Sequence, residues 1–281
     1  MAEESEGKPL LERYRALDAQ ARHAWADLNR SPRVAATAVY DLRLALRIIR
    51  ILKHFICKDP DFIAVEGALD DCYRAIALVR DGQVGLGLVR LLEKGGLCPP
   101  PFPSVALKAR LWQDTRQLSA TLDQLGLVDV LQGLDRAFSS LQRRRSEEQM
   151  QHKARKVAQR LDVMLLRGVR GAWLRPDEAD WHGLRLAIKR YRFWVLTLAD
   201  WLPAACSERV VVLKPLQVAL GDYHDWVVLE ARLPELKGAP VARWQSDAGR
   251  FKQVSLDLAR AQLEPLLLRK IEKIDYPGRG G

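Results

Sequence analysis

The sequence predicts an all-α fold made of two similar helical halves, and three observations carry that expectation. Apolar residues recur at intervals of three and four through most of the 281 residues, the period of a helix that buries one face. Strict alternation over five or more residues, which a half-buried strand requires, is hard to find. The stretch "YDLRLALRIIR" at 40–50 aligns without a gap on "HGLRLAIKRYR" at 182–192, an internal repeat at an offset of 142 residues.

In chain order, the spacing predicts helices over about 9–29, 32–57, 60–80, 84–94, 104–145, 148–170, 177–201, 206–221, 226–236 and 240–273. "NRSPRV" places Ser31 at an N-cap and Pro32 at the first helical position, and "RPDEAD" starts a helix in the same way near 176. "KGGLCPPPFPS" at 94–104 breaks the chain. The valine run of "RVVVLKPLQ" has strand character, but "KPLQVALGDYHDW" continues it at helical spacing, and an isolated strand would leave its backbone groups unpaired. A second correspondence, "ALVRDGQV" with "ALGDYHDWVV", matches Asp81 to Asp225 at an offset of 144, and both read as N-caps of the helices that follow them.

Composition narrows the class of function. With 48% apolar residues the chain can bury the core of one or two domains. Lys plus Arg exceed Asp plus Glu by 45 to 35, a net charge of +10 that favours polyanions such as nucleic acid, anionic lipid or phosphate polymers. "MAEESEGK" lacks the positive start of a secretory signal, and no run of about 18 uncharged apolar residues follows, so a cytoplasmic protein without a membrane span is expected. Cys57, Cys72, Cys98 and Cys206 form no CxxC pair and read as reduced thiols, not as a zinc site or a disulfide framework. There is no GxxxxGK[ST] loop, no nucleophile with its base and no carboxylate cluster at metal spacing. The expectation is a protein that is not an enzyme, with no cofactor and no metal.

The repeated stretch carries the chemistry. At 100° per residue, His182, Arg185, Lys189 and Arg192 share a sector about 80° wide, with Leu184, Ile188, Tyr191 and Val195 on an apolar stripe beside it and Arg190 off the line. The first copy repeats the ridge with Arg43, Arg47 and Arg50, and His54 follows near the same azimuth. Neither segment holds an acid from 42 to 57 or from 182 to 199, so both forgo Glu–Lys pairs, which contribute roughly 0.2–0.5 kcal/mol each. The negative charge is therefore expected from a ligand. Two facing ridges about 8 Å apart would repel by about 2 kcal/mol per charge pair at an effective dielectric near 20, a cost relieved by a polyanion between them. Arginine suits the task because its planar fork gives paired hydrogen bonds to phosphate oxygens.

These residues resemble the CHAD domain, the conserved histidine α-helical domain, whose mark is a duplicated His-x-x-Arg-x-x-x-(Arg/Lys)-Arg-x-Arg helix. His182, Arg185, Lys189, Arg190 and Arg192 match it in full, and "LKPLQVALGDYHD" at 213–225 resembles the segment that follows it in the family. The first copy departs: Tyr40 takes the histidine position, Ile48 replaces a basic residue and Ala77 stands where Gly is usual. The resemblance spans residues 9–273 and implies two four-helix-type bundles, 9–147 and 148–273, related by a pseudo-twofold axis around a basic central cavity. Residues 1–8 are expected to be a disordered N-terminus and 274–281 a flexible C-terminus. It also implies binding of inorganic polyphosphate, with localisation on polyphosphate-containing granules. The ligand contacts it implies are Arg43, Arg47, Arg50 and His54 in one half and His182, Arg185, Lys189, Arg190 and Arg192 in the other.

Second-tier positions are Tyr40, which offers a hydrogen bond and no charge, Lys214 and His224, and Lys153, Arg155, Lys156 and Arg160, which extend a basic path. Glu4–Lys8, "ESEGK", fits the Glu-x-Glu-x-Lys string of the CYTH domains that accompany this family, but it precedes a helix where that motif needs a strand of a barrel. Two alternatives stay open: a nucleic-acid-binding helical protein, and a helical scaffold for an acidic protein partner. Against the first, Trp173, Trp181, Trp194, Trp201 and Trp226 mostly lie among Leu and Val at helical spacing, as core residues and not stacking platforms.

Overall fold

The computed structural model describes residues 8–30, 32–95, 102–175, 177–236, 240–268, 274 and 276. They are helical almost throughout, with no strand among them. The helices are α1 (Leu10–Asp27), α2 (Pro32–Ile56), α3 (Pro60–Lys94), α4 (Pro103–Gln124), α5 (Leu127–Arg144), α6 (Glu147–Leu174), α7 (Glu178–Thr197), α8 (Ala204–Arg232) and α9 (Val241–Leu268). Short 3-10 turns at Ala199–Trp201 and Leu233–Glu235 follow α7 and α8.

Three boundaries differ from expectation, each for a local reason. The expected break after residue 80 is absent, and α3 runs on through Gly82, Gly85 and Gly87. Glycine lowers helix propensity by about 1 kcal/mol per residue, which tertiary packing overrides. At Gly82 a Cβ would come within 3.1 Å of Leu111 Cδ1, so the missing side chain lets α4 pack against α3. The break expected at 221–226 is likewise absent, since α8 continues through "GDYHDW" with Trp226 and Leu229 buried. Asp81 and Asp225 are therefore interior helix residues and not N-caps. Conversely, the single helix expected over 104–145 is two, because Gly126 takes a left-handed conformation (φ 69°) and ends the ladder between α4 and α5. The valine run is helical as expected, with Pro215 inside α8. The N-cap at Ser31 and the position of Cys98 lie outside the described residues.

The chain divides into two compact units, the first comprising residues up to Arg90 with Ser104–Met150, the second Leu91–Pro103 with Gln151 onward. In the first, α1 packs along α2 and α5. Tyr14 of α1 stacks on Phe138 of α5 at 4.7 Å and donates its hydroxyl to the Leu131 carbonyl. Burial pushes that phenol far above its usual range. Gly133 lets α5 lie close to α3, where a Cβ would meet Val65 Cγ1 at 2.7 Å. Arg136–Asp61 ties the same two helices at the edge, and Arg144 of α5 pairs with Asp59, the residue just before α3.

In the second unit α8 packs between α7 and α9. Asp177 caps α7, its side chain accepting from the Asp180 amide at 2.8 Å. Trp181, Trp194, Trp201, Trp226 and Trp244 are all buried, which bears out four of the tryptophans assigned to packing, whereas Trp173 is half exposed. Trp194 donates its indole N–H to the Ala154 carbonyl of α6 at 3.1 Å, and Trp226 stacks on Phe251 of α9 at 4.8 Å. The Arg209–Asp162 pair joins α8 to α6 and is buried, with exposures of 10% and 5%.

Candidate functional site

In the first unit, α2 and α3 form a helical hairpin whose facing sides hold the first basic ridge. Lys53 pairs with Glu66 at 2.9 Å, Arg50 Nε with Asp70 at 2.7 Å, Arg47 Nε donates to the Tyr73 hydroxyl at 3.1 Å, and Arg43 Nη1 pairs with Asp81 at 3.0 Å. The order runs forward on α3 as it runs backward on α2, as antiparallel helices require. The Tyr73 ring lies under the Arg50 guanidinium at 4.3 Å and within 6.0 Å of that of Arg43. Burial alone would raise the Tyr73 phenol, but the guanidiniums of Arg47 and Arg43 outweigh it and hold the pKa below its ordinary value.

These contacts correct the expectation that no protein acid answers the α2 stripe. The stripe lacks acids on its own helix, and α3 supplies them: Glu66, Asp70 and Asp81. Scanning a helix for partners three or four residues away misses groups that a hairpin brings back from 13, 20 and 38 residues along the chain. The signal that would have found them is the four-residue spacing of Glu66 and Asp70 on the helix that follows. His54 and Tyr40 are exposed, and Tyr40 lies under the Arg80 guanidinium at 5.2 Å.

In the second unit, α7 presents the other ridge beside α8. His182 is exposed, Arg185, Lys189 and Arg192 are half-buried, and Arg190, off the line of the ridge, is exposed. The His182 ring lies 5.4 Å from that of His224, and Arg192 donates through Nη1 to the Gln217 side-chain oxygen. Burial lowers the pKa of the Arg192 guanidinium, and its Nε is buried with no hydrogen-bond partner among the described residues. A guanidinium drawn partly out of water and held by a neutral amide retains unspent capacity for an anion.

The two ridges can be compared position by position. His182 and His224 stand 142 and 144 residues beyond Tyr40 and Arg80, which also touch; Arg192 and Gln217 stand in the same relation to Arg50 and Tyr73. The offsets read from the sequence are thus matched by contacts within each unit. On α8, however, Lys214 falls where α3 has Asp70 and Val210 where it has Glu66, while Asp225 keeps the acid of Asp81. Of the acids facing the first ridge, two have no counterpart at the second.

The remaining sequence candidates are spread along α6 and α8. Lys214 is exposed on α8, and Lys153, Lys156 and Arg160 are exposed on α6, while Arg155 donates to the Trp201 carbonyl at 3.4 Å. Arg160 opens onto a separate cleft of about 680 Å³ with Arg167, Arg170, Met164 and Tyr276 on its walls. Among the described residues no group of three or more His, Cys, Asp or Glu is placed to hold a metal ion, and no helix is long and apolar enough to cross a membrane. Cys72 and Cys206 are buried free thiols and Cys57 an exposed one.

Residues 10–234 match the family model of the CHAD domain. No curated protein matches the chain. Among solved structures, the crystal structure of the CHAD domain from the plant Ricinus communis is similar, with a TM-score of 0.65 and 19% identity over 91% of this chain and 92% of that one. At that identity the likeness is one of fold, and it agrees with the all-helical architecture. The family match covers both hairpins and both ridges, from the start of α1 to the end of α8: the chain belongs to the CHAD domain family.

Proposed function

We propose that this protein binds inorganic polyphosphate and does not transform it. The observation that carries the reading is Arg192, a partly desolvated guanidinium whose bonded partner is the neutral side chain of Gln217, on a helix face that also presents His182, Arg185 and Lys189. From His182 to Arg192 the face spans about 15 Å of helix, a linear array of cations that suits a linear chain of phosphates. Family membership supports the same ligand class, since the resemblance read from the sequence implies polyphosphate. On this reading the protein holds polyphosphate without catalytic residues or a cofactor, and it travels with polyphosphate-containing granules in the cytoplasm.

The test is a titration with long-chain polyphosphate of the wild type and of a variant with Arg43, Arg47, Arg185 and Lys189 all changed to Ala. The variant should bind at least about ten-fold more weakly, since charge-assisted contacts contribute about 1.5–3 kcal/mol each. At matched phosphate charge, polyphosphate should displace labelled single-stranded DNA. The reverse order would overturn the reading in favour of nucleic acid. Saturating ligand should also raise the melting temperature by several degrees, because at 100 times Kd binding to the folded form alone stabilises by about 2.7 kcal/mol.

A further inference from the structure

We infer that Glu66 and Asp70 act as built-in competitors that hold the α2 ridge closed to polyanions, which leaves the α7 ridge as the principal site. The inference rests on the polyphosphate reading and goes beyond it by making the two ridges unequal.

Three observations support it. Asp70 occupies Arg50 Nε at 2.7 Å and Glu66 occupies Lys53 Nζ at 2.9 Å, so a phosphate can reach either cation only by displacing a carboxylate or by lying against it. Both acids are part exposed, at 37% and 42%, so the pairs are weak enough to open, yet each displaced carboxylate stays within a Debye length of the incoming phosphate and repels it. At the second ridge the position of Asp70 carries Lys214, which attracts a polyanion, while the Lys53–Glu66 pair has no counterpart, since Val195 and Val210, both buried, stand in its place. Asp81 does not discriminate, because Asp225 stands in its place.

A purely structural role for these acids makes a different prediction. Removing them would then lower stability and leave affinity for polyanions unchanged. As competitors, their removal raises affinity.

The experiment compares long-chain polyphosphate affinity at fixed ionic strength for the wild type, Glu66→Gln/Asp70→Asn, the same double variant carrying Arg50→Ala and Lys53→Ala, and Lys214→Asp, each checked by circular dichroism. Neutralising the two acids should tighten binding about three- to ten-fold, the size expected of releasing two part-exposed ion pairs. The added Arg50→Ala and Lys53→Ala should abolish that gain. Lys214→Asp, an exposed substitution on α8 that does not depend on the double variant folding, should weaken binding by a similar factor. Unchanged or weaker affinity in the folded double variant, or no effect of Lys214→Asp, overturns the inference while wild-type binding leaves the polyphosphate reading standing. Absence of binding in the wild type sinks both.

Discussion

Arg43 of α2 donates to Asp81 of α3 at 3.0 Å, with the arginine 20% and the aspartate 46% exposed. Asp81 lies in the interior of a helix that the local sequence predicts to end at residue 80, and Arg43 gives it a tertiary partner in place of a capping role.

The two roles separate in one substitution. Asn caps a helix as well as Asp does, whereas it cannot form an ion pair. Asp81→Asn should therefore cost about 0.5–1 kcal/mol in urea unfolding, and the cost should vanish in an Arg43→Ala background. An unchanged midpoint for Asp81→Asn would restore the capping role.

Glycines in the first unit should respond in opposite directions. Gly133→Ala drives a methyl to 2.7 Å from Val65 Cγ1 and should destabilise by about 1–3 kcal/mol, a loss partly recovered when Val65→Ala makes room. Gly126→Ala should cost about 1–2 kcal/mol because φ is 69°, although no atom obstructs the methyl closer than 3.4 Å. Gly85→Ala, in a helix with nothing within 4 Å, should stabilise by about 0.5–1 kcal/mol. Thermal and denaturant melts of the three variants read the signs directly.

Ion pairs should differ by burial. Asp162→Ala removes the carboxylate paired with Arg209 at a site where both partners are nearly buried, and should cost about 3–5 kcal/mol. Replacing both residues with Leu should cost less than Asp162→Ala alone. The exposed Arg74–Asp71 pair should contribute under about 0.5 kcal/mol when Asp71 becomes Ala. Equal losses at the two sites would refute the burial argument.

Cys72 makes a pH prediction. Burial first, and then the Asp71 charge, push its thiol up to about 11. The folded state therefore holds that proton more tightly than the unfolded chain. The resulting stability is full below the ordinary thiol range and is lost as pH rises toward about 11, at most about 3 kcal/mol. Cys72→Ala should flatten the alkaline limb of the stability profile relative to wild type. At pH 8, iodoacetamide should label the exposed Cys57 in the native protein and leave Cys72 unmodified until unfolding, as peptide mapping would show.

Much of the molecule can be read along a single helix, because helical period and side-chain direction are properties of consecutive residues. Leu184, Ile188, Tyr191 and Val195 are buried, and Arg185, Lys189 and Arg192 share the neighbouring face, as the 100° rotation requires. The Pro32 start of α2, the Asp177 cap of α7 and the helical state of the valine run follow from equally local chemistry. The repeat offsets also carried into space, since Tyr40 meets Arg80 as His182 meets His224.

What local chemistry left open was which groups come back from elsewhere in the chain. Glycines at 82, 85 and 87 look like a break until packing outweighs their small propensity penalty, and Gly126 looks like a continuation until a left-handed φ ends the helix. Pairing Arg50 with Asp70 or Arg192 with Gln217 depends on how two antiparallel helices register, which no window of neighbouring residues contains. Charge along the chain was therefore written in the amino-acid order, and its neutralisation or persistence was settled by folding, because Coulomb interactions depend on distance in space and not along the backbone.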